Sequence, residues 1–264
     1  MKPSTHIAIA AACASLAAAA STAYAGPLGG QSSQHEPVIG KISHHALKLS
    51  ATFDERCHNG SLYYWDTFKR AKIARNGAFA VRGKKSVTFD DGYSNTERYR
   101  LSGTMSKAGV VRGTLRVQDS WYAPDGSLDD VCNSGNVHFQ IRDAGILAGR
   151  ASNGAPTVLK LRPTGTSIKS LLIPWTADCE SGGSLWDTAN MSGPLGTAGA
   201  FSSSVAMASF DWGDGQQARP HEWLDGYATK TLAVGEFRAK TSIVDGSAAE
   251  VDSCDTGSIT FRLT

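Results

Sequence analysis

The sequence lacks the short motifs that mark most familiar enzyme families. It contains no H-E-x-x-H pair of metal-ligating histidines, no G-x-S-x-G nucleophile turn, no G-x-G-x-x-G fingerprint and no P-loop. Its histidines form no pair spaced four residues apart in a helical pattern. We therefore predict no catalytic residue, no metal site and no cofactor, and we favour a non-enzymatic protein.

After residue 25 the sequence also lacks an apolar run of the roughly 20 residues that a membrane-spanning helix needs. The long small and apolar run is residues 7–20, which follows Lys2 and precedes Ala23-Tyr24-Ala25. This order is typical of a cleavable signal peptide. We expect residues 1–25 to be a signal peptide, the mature chain to be secreted or periplasmic, and no integral membrane segment to be present.

The chain has little net charge, formally +2 at neutral pH, and no long block of one sign. Its Arg and Lys residues are spread through the first repeat, including residues 69–85, and do not form one continuous tract. A protein that binds nucleic acid needs a concentrated basic face. We therefore predict no nucleic-acid partner, and we interpret these residues as a solvated strand face.

Closely spaced cysteine pairs, the usual ligands of a zinc site, are absent. The cysteines after residue 25 are Cys57, Cys132, Cys179 and Cys254, and each is followed three positions later by glycine. An even number of cysteines in an exported chain favours disulfides. Of the three possible pairings, we predict Cys57–Cys132 and Cys179–Cys254, because both pairs are separated by 75 positions.

No segment of the first cysteine-bounded block shows the 3.6-residue period of a helix over three turns. Alternation with a period of two is common: Leu47, Leu49, Ala51 and Phe53 alternate with polar residues, and the pattern returns at intervals up to residue 141. Turn sequences rich in Gly, Asp and Asn separate these segments. This pattern predicts an all-β fold made of short strands, either a β-sandwich or barrel-like.

The second cysteine-bounded block repeats the first with an offset of 121–123 residues. Each block ends in Cys-x-Ser/Thr-Gly-x-Val/Ile-x-Phe, beginning at Cys132 and at Cys254. We also match Gly60-Ser-Leu and Trp65-Asp-Thr with Gly183-Ser-Leu and Trp186-Asp-Thr, with two tyrosines added in the first copy. The sequence therefore predicts two tandem β repeats, each with one internal disulfide.

Composition suggests where these repeats begin and end. Residues 26–43 are rich in Gly, Ser, Gln and Pro, and we expect a flexible mature N-terminus there. Residues 44–143 form the first predicted repeat and residues 167–264 the second. Between them, residues 144–166 contain several Gly and Pro turn signals, and we interpret them as a linker that includes one short strand at 158–161.

The strand-end motif and the recurring Gly-x-Phe and Gly-x-Leu pairs resemble a group of exported bacterial β-domain proteins to which no role is assigned. The resemblance covers both blocks, and its motifs are structural glycines, one cysteine and apolar strand residues. It implies a β-sandwich and a location outside the cytoplasm. It carries over no catalytic residue.

Aromatic residues that the two copies do not share are the candidates for ligand binding, since shared ones serve the common scaffold. Trp65 and Trp186 are open to two interpretations, a platform for sugar rings or buried packing, and packing is favoured. The candidate ligand-binding residues are Tyr63, Tyr64, Trp121, Tyr122, Trp212 and Trp223.

These features favour an exported binding protein whose ligand is a glycan, another cell-envelope component or a protein. One alternative is a secreted hydrolase with a carboxylate site between the repeats, drawing on Asp90, Asp91 or Asp214. Another alternative is a structural or inhibitory partner protein. The sequence leaves the identity of the ligand and the oligomeric state open.

Overall fold

A computed structural model describes residues 26–213 and 215–264. Most of these residues lie in strands, and a short 3₁₀ turn occupies Thr197–Gly199. The predicted signal peptide and Asp214 lie outside the described residues. The prediction of an all-β chain with one disulfide in each of two β halves is confirmed.

Ten strands form the first half. They are β1 Pro27–Ser32, β2 Pro37–Ser43, β3 Ala46–Cys57, β4 Gly60–Thr67, β5 Ala71–Lys72, β6 Ala78–Thr88, β7 Ser94–Met105, β8 Val111–Tyr122, β9 Leu128–Asn133 and β10 Val137–Arg142. All of their pairings are antiparallel.

Six of these strands close into a ring. The order around it is β1, β2, β3, β9, β8 and β10, and β10 pairs again with β1. The strands β7 and β6 continue outward from β8, while β4 and β5 pair with the other edge of β3. An ion pair between Lys85 on β6 and Asp66 on β4 spans the gap between these two edge strands. The first half is therefore a barrel-like sandwich.

The second half repeats this plan with ten further strands, β11 to β20. Its ring runs β11, β12, β13, β19, β18 and β20, and a bridge between Ala151 and Phe261 closes it. The strands are β11 Ile146–Arg150, β12 Pro156–Leu161, β13 Ser167–Cys179, β14 Ser184–Pro194, β15 Ala200–Ala206, β16 Phe210–Gly213, β17 Gln216–Ala228, β18 Ala233–Val244, β19 Glu250–Asp255 and β20 Ile259–Leu263.

The expectation of a flexible segment at residues 26–43 is corrected by the structure, which places β1 and β2 there. Leu28 and Val38 are fully buried in the core of the first half. The glycines that suggested flexibility permit close packing: a Cβ on Gly30 would lie 1.9 Å from the carbonyl oxygen of Gln140 on β10. Glycine is needed here because another backbone approaches closely.

The expectation of a linker at residues 144–166 is corrected in the same way. This segment forms β11 and β12, and Leu147 and Leu159 are buried in the core of the second half. By their pairing, β11 and β12 are the counterparts of β1 and β2. Each repeat therefore begins two strands before its predicted start at residue 44 or 167.

The repeated glycines of the sequence motif have a packing role. A Cβ on Gly113 would lie 2.5 Å from the Phe139 ring, and one on Gly235 would lie 2.6 Å from the Phe261 ring. Both phenylalanines belong to the motif that follows the second cysteine of each repeat. Each ring therefore lies over a bare glycine on the neighbouring strand, β8 or β18.

The disulfides join Cys57 to Cys132 and Cys179 to Cys254, as predicted. In the second half the two cysteines are direct partners in the β13–β19 ladder. In the chain-entropy model a bridge that closes a loop of about 75 residues stabilises the fold by about 4 kcal/mol. The bridges hold β3 against β9 and β13 against β19, strands that are otherwise joined by few ladder pairs.

Strand register corrects one part of the sequence match between the repeats. Counting from the cysteines, Tyr63 lies opposite Asp54, and Trp186 lies opposite Thr176, so Tyr63 and Trp186 are equivalent. Trp65 is equivalent to Thr188 rather than to Trp186. Gly-Ser-Leu is in register in the two copies, so the letters Trp-Asp-Thr recur two positions out of register because Tyr63 and Tyr64 precede them in the first copy.

The two halves pack through equivalent residues. Ile39 packs against its counterpart Val158, and a Cβ on Gly29 would lie 2.8 Å from that of its counterpart Ala148. Contact between like positions is the property of an interface with two-fold symmetry. The duplicated halves are therefore arranged like the subunits of a symmetric dimer.

Among the described residues, no helix has the length and apolar character required to cross a membrane.

Candidate functional site

Three turns meet at one end of the first half, beside the Cys57–Cys132 disulfide: those joining β3 to β4, β6 to β7, and β8 to β9. An open cavity of about 360 Å³ lies there, lined by Phe89, Asp91, Tyr93 and Trp121. We call this cavity the aromatic cleft. Three aromatic side chains and one carboxylate therefore surround an opening to solvent.

Local sequence fixes the turn that carries most of the cleft. Gly92 has a φ of 85°, a left-handed conformation that glycine adopts without strain. Its N–H donates to the Phe89 carbonyl, and the Tyr93 N–H donates to the Asp91 carboxylate at 3.0 Å. The side chain of Asp91 therefore stabilises the turn that presents Phe89 and Tyr93.

Trp121 and Phe89 stack on each other with ring centroids 5.6 Å apart and planes 10° apart. Phe89 is 42% exposed and Tyr93 38% exposed. The indole Nε1 of Trp121 is shielded from solvent and has no hydrogen-bond partner among the described residues. A stacked, partly exposed aromatic pair is suited to half-wet contacts.

A second shallow cavity, of about 210 Å³, also has Trp121 in its lining. Its lining includes Asn59, Ser61 and Asp130 together with the disulfide. The Asp130 carboxylate accepts the backbone N–H groups of His58 and Asn59, which fixes the β3–β4 turn. Because Trp121 lines both cavities, they form one groove across this end of the first half. We call the two cavities together the aromatic groove.

Below the groove, three acidic side chains point into the interior of the first half. Glu55, Glu97 and Asp119 are 0%, 6% and 2% exposed. They lie on the inward faces of β3, β7 and β8, and Glu97 and Asp119 are direct cross-strand partners. Both Glu55 carboxylate oxygens lack a hydrogen-bond partner among the described residues. We call these three residues the acidic core.

Burial, with a smaller contribution from the nearby Asp119, raises the pKa of Glu55 to about 9. Burial also raises the pKa of Glu97 to about 8, with contributions from a hydrogen bond and charge repulsion involving Asp66. Tyr64 donates a hydrogen bond to Asp119. Although the Lys85 ammonium lies 3.8 Å from Glu97, burial favours the uncharged forms of Glu55 and Glu97, because buried charges are costly.

The second half has no counterpart of the acidic core. By strand register, Ala177, Pro220 and Thr241 occupy the positions of Glu55, Glu97 and Asp119, respectively. The shared scaffold therefore does not require acids at these positions. Sequence reasoning missed them, although an acid at an inward position of an alternating strand was a usable signal.

Two of the candidate binding residues take part in internal contacts. Tyr63 is 8% exposed and stacks on Trp186 between the halves. Tyr64, which follows it on β4, points the opposite way and contacts the acidic core. Neither ring is presented to an external ligand.

The remaining candidates lie in three separate places. Tyr122 follows Trp121 at the end of β8 and is partly buried. Trp212 is 36% exposed beside Phe210 in the second half, while Trp223 is 37% exposed and stacks on His221. The structure therefore brings only Trp121 into a cavity with other aromatic side chains, and its partners Phe89 and Tyr93 were not among the candidates.

Of the carboxylates proposed for a hydrolase, the two that the structure describes, Asp90 and Asp91, do not lie between the halves. Asp90 and Asp91 are exposed in the β6–β7 turn, and Asp214 lies outside the described residues. The acids found at the interface are Glu36 and Asp54, which face Asp187 of the second half. Burial raises the pKa of all three, that of Glu36 to about 7.

Two further clusters combine a cysteine pair with Asp130 or Asp252 at distances short enough to hold an ion. In both clusters the sulfur atoms are bonded to each other. Because a metal ligand must be a free thiolate, these clusters are disulfides with a turn aspartate nearby.

No protein-family model matches this chain, and no curated protein matches it.

Proposed function

We propose that this protein is an exported binding protein and that its ligand is a glycan, bound in the groove at the disulfide end of the first half. The stacked Phe89–Trp121 pair in an open cavity is the observation that carries the proposal. Sugar rings present flat C–H faces that pack on aromatic rings, while their hydroxyls need hydrogen-bond partners.

The polar groups of the groove suit hydroxyl recognition. Asp91 offers carboxylate oxygens beside the aromatic rings. In the second cavity, Asn59 and Ser61 add amide and hydroxyl groups. Two open cavities that share one tryptophan favour internal units of a chain over a small enclosed molecule.

Burial of the acidic core favours binding over hydrolysis. A glycosidase needs two carboxyl groups that flank the scissile bond. Glu55, Glu97 and Asp119 are at most 6% exposed and line neither cavity of the groove. Glu55 and Glu97, whose pKa values are raised to about 9 and about 8, are therefore out of reach of a ligand that lies on Trp121.

The test is calorimetric titration of the mature protein with a panel of neutral oligosaccharides of four to eight units, chosen to exclude charge effects. Trp121→Ala should weaken binding by roughly 30-fold, the typical loss at an aromatic anchor. Trp212→Ala is the control, since Trp212 is an exposed tryptophan at the corresponding end of the second half.

Failure of every neutral oligosaccharide to bind, or equal losses in the two variants, would overturn the proposal. Release of reducing ends during the same titration would favour the hydrolase alternative instead. Specific retention of a protein from the culture supernatant, with no glycan binding, would favour a partner protein.

A further inference from the structure

The outer face of β6, β7 and β8 carries a concentrated group of cations. Arg82, Lys84, Arg98, Arg100 and Arg116 line one shallow cavity of about 370 Å³. All five side chains are exposed. We call this surface the cationic face. It lies on the opposite side of the sheet from the acidic core, so it is separate from the aromatic groove.

Strand register sets the spacing of these charges. Arg82, Arg100 and Arg116 are direct cross-strand neighbours on three adjacent strands, and Lys84 pairs with Arg98 in the next row. Direct neighbours have Cβ atoms about 5 Å apart, and rows lie about 7 Å apart along the strands. Like charges placed directly opposite each other destabilise a sheet.

Nothing nearby offsets this repulsion. Across residues 26–213 and 215–264, none of the five side chains forms an ion pair or a side-chain hydrogen bond. The acids of these strands, Glu97 and Asp119, face the interior. The outward positions of the three strands contain no acidic residue.

The second half shows that the scaffold does not need these cations. By register, Ser204 stands at the position of Arg82, and Trp223 at that of Arg100. Arg238 is the counterpart of Arg116, but it forms an ion pair with Asp255. A costly feature that is present in one copy and absent from the other points to a ligand rather than to folding.

We propose that the cationic face binds an acidic polysaccharide, through sulfate, phosphate or carboxylate groups that bridge neighbouring arginines. The guanidinium group matches these anions with paired N–H donors, which makes arginine better suited than lysine to such contacts. The two-row arrangement places several cations within reach of adjacent anionic groups on one chain.

Other polyanions fit this face less well. Binding of single-stranded nucleic acid relies on exposed aromatic rings that stack on bases. Tyr99 is the aromatic residue lining this cavity, and it is 2% exposed. A membrane surface would require apolar side chains among the cations, and the five lining cations are accompanied by Gly83, Tyr99 and Gln118.

The experiment compares dextran sulfate with uncharged dextran of the same length, at several salt concentrations. The parent should bind dextran sulfate and not dextran, and its affinity should fall steeply as salt rises. Arg98→Gln/Arg100→Gln should weaken binding at least tenfold and reduce the salt dependence. Arg238→Gln, at the equivalent face of the second half, should leave binding unchanged.

Titrations with polygalacturonate and polyphosphate identify which anionic group is preferred, and a single-stranded DNA oligomer tests nucleic acid as the competing class of ligand.

Lys84→Gln/Arg116→Gln provides a second pair of changes if the first impairs folding, which circular dichroism will reveal. Equal affinities of the parent and both double variants for dextran sulfate, or tighter binding of DNA than of every polysaccharide, would overturn the proposal. The Trp121→Ala variant, which removes the central ring of the aromatic groove, should bind dextran sulfate as tightly as the parent. The proposal for the cationic face can therefore fail without the proposal for the groove, and the reverse.

Discussion

Tyr63 and Trp186 occupy equivalent positions in the two halves and stack on each other, with ring centroids 4.9 Å apart and planes 5° apart. Tyr63 also donates a hydrogen bond to Glu36 at 3.1 Å, and Thr188 donates to the same carboxylate oxygen at 2.5 Å. Aromatic stacking and a shared acceptor therefore join the halves where equivalent residues meet.

Replacement of Tyr63 by alanine should destabilise the protein by about 3 kcal/mol, because it removes a buried ring and a donor to Glu36. Tyr63→Phe keeps the ring and should cost about 1 kcal/mol. Urea unfolding of the two variants and the parent measures the difference. A loss below about 0.5 kcal/mol for Tyr63→Ala would show that this contact does not join the halves energetically.

Some of the fold follows directly from local sequence patterns. The identical cysteine separations predict both disulfides, and alternation predicts strands such as β3 and β8. The motif phenylalanines Phe139 and Phe261 mark matching strands in the two halves. These features are readable because each depends on neighbouring residues or on an exact repeat.

Other features depend on long-range packing, which short patterns do not show. The glycines of β1 resemble a flexible tail until β10 is known to lie against them. The recurrence of Trp-Asp-Thr suggested that Trp65 matches Trp186, and only the ladder shows that Tyr63 does. The acidic core likewise combines residues from β3, β7 and β8, and the cationic face depends on the cross-strand register of β6, β7 and β8.

Introduction of a methyl group at Gly113 should destabilise the first half. A Cβ there would lie 2.5 Å from the Phe139 ring and 2.7 Å from the Ser102 carbonyl oxygen. Overpacking of this kind costs about 1–3 kcal/mol, so the Gly113→Ala variant should unfold at a lower denaturant concentration. Gly193→Ala is the control, because no atom lies within 4 Å of its added Cβ. Equal midpoints for both variants would contradict the close packing of Phe139.

Removal of a disulfide should lower stability in both halves. The Cys57→Ser/Cys132→Ser and Cys179→Ser/Cys254→Ser variants each open a loop of 75 residues. Each should lose up to about 4 kcal/mol, and the similar loop lengths predict similar losses. Thermal unfolding of both variants, made under identical conditions, tests this. A large loss for one pair alone would show that strand packing, rather than loop closure, determines the effect.

The acidic core should make stability fall as pH rises. Burial raises the pKa of Glu55 from 4.5 to about 9 and that of Glu97 from 4.5 to about 8. Between pH 4.5 and about 8 for Glu97, or about 9 for Glu55, the folded state retains a carboxyl proton that the unfolded chain has released. The stabilising effect of protonation is therefore fully present below about pH 4.5 and is lost as pH approaches about 9.

Glu55→Gln should weaken the dependence of folding stability on pH, because a neutral amide replaces a carboxyl that must ionise at high pH. We expect the variant to exceed the parent in stability by about 2 kcal/mol at pH 9 and to match it near pH 4. Urea unfolding at pH 4, 7 and 9 provides the comparison, and Glu250→Gln, at an exposed position of the second half, should follow the parent throughout. A parent with constant stability from pH 5 to 9 would mean that these carboxyls are ionised in the folded protein, with cations or water compensating them inside the first half.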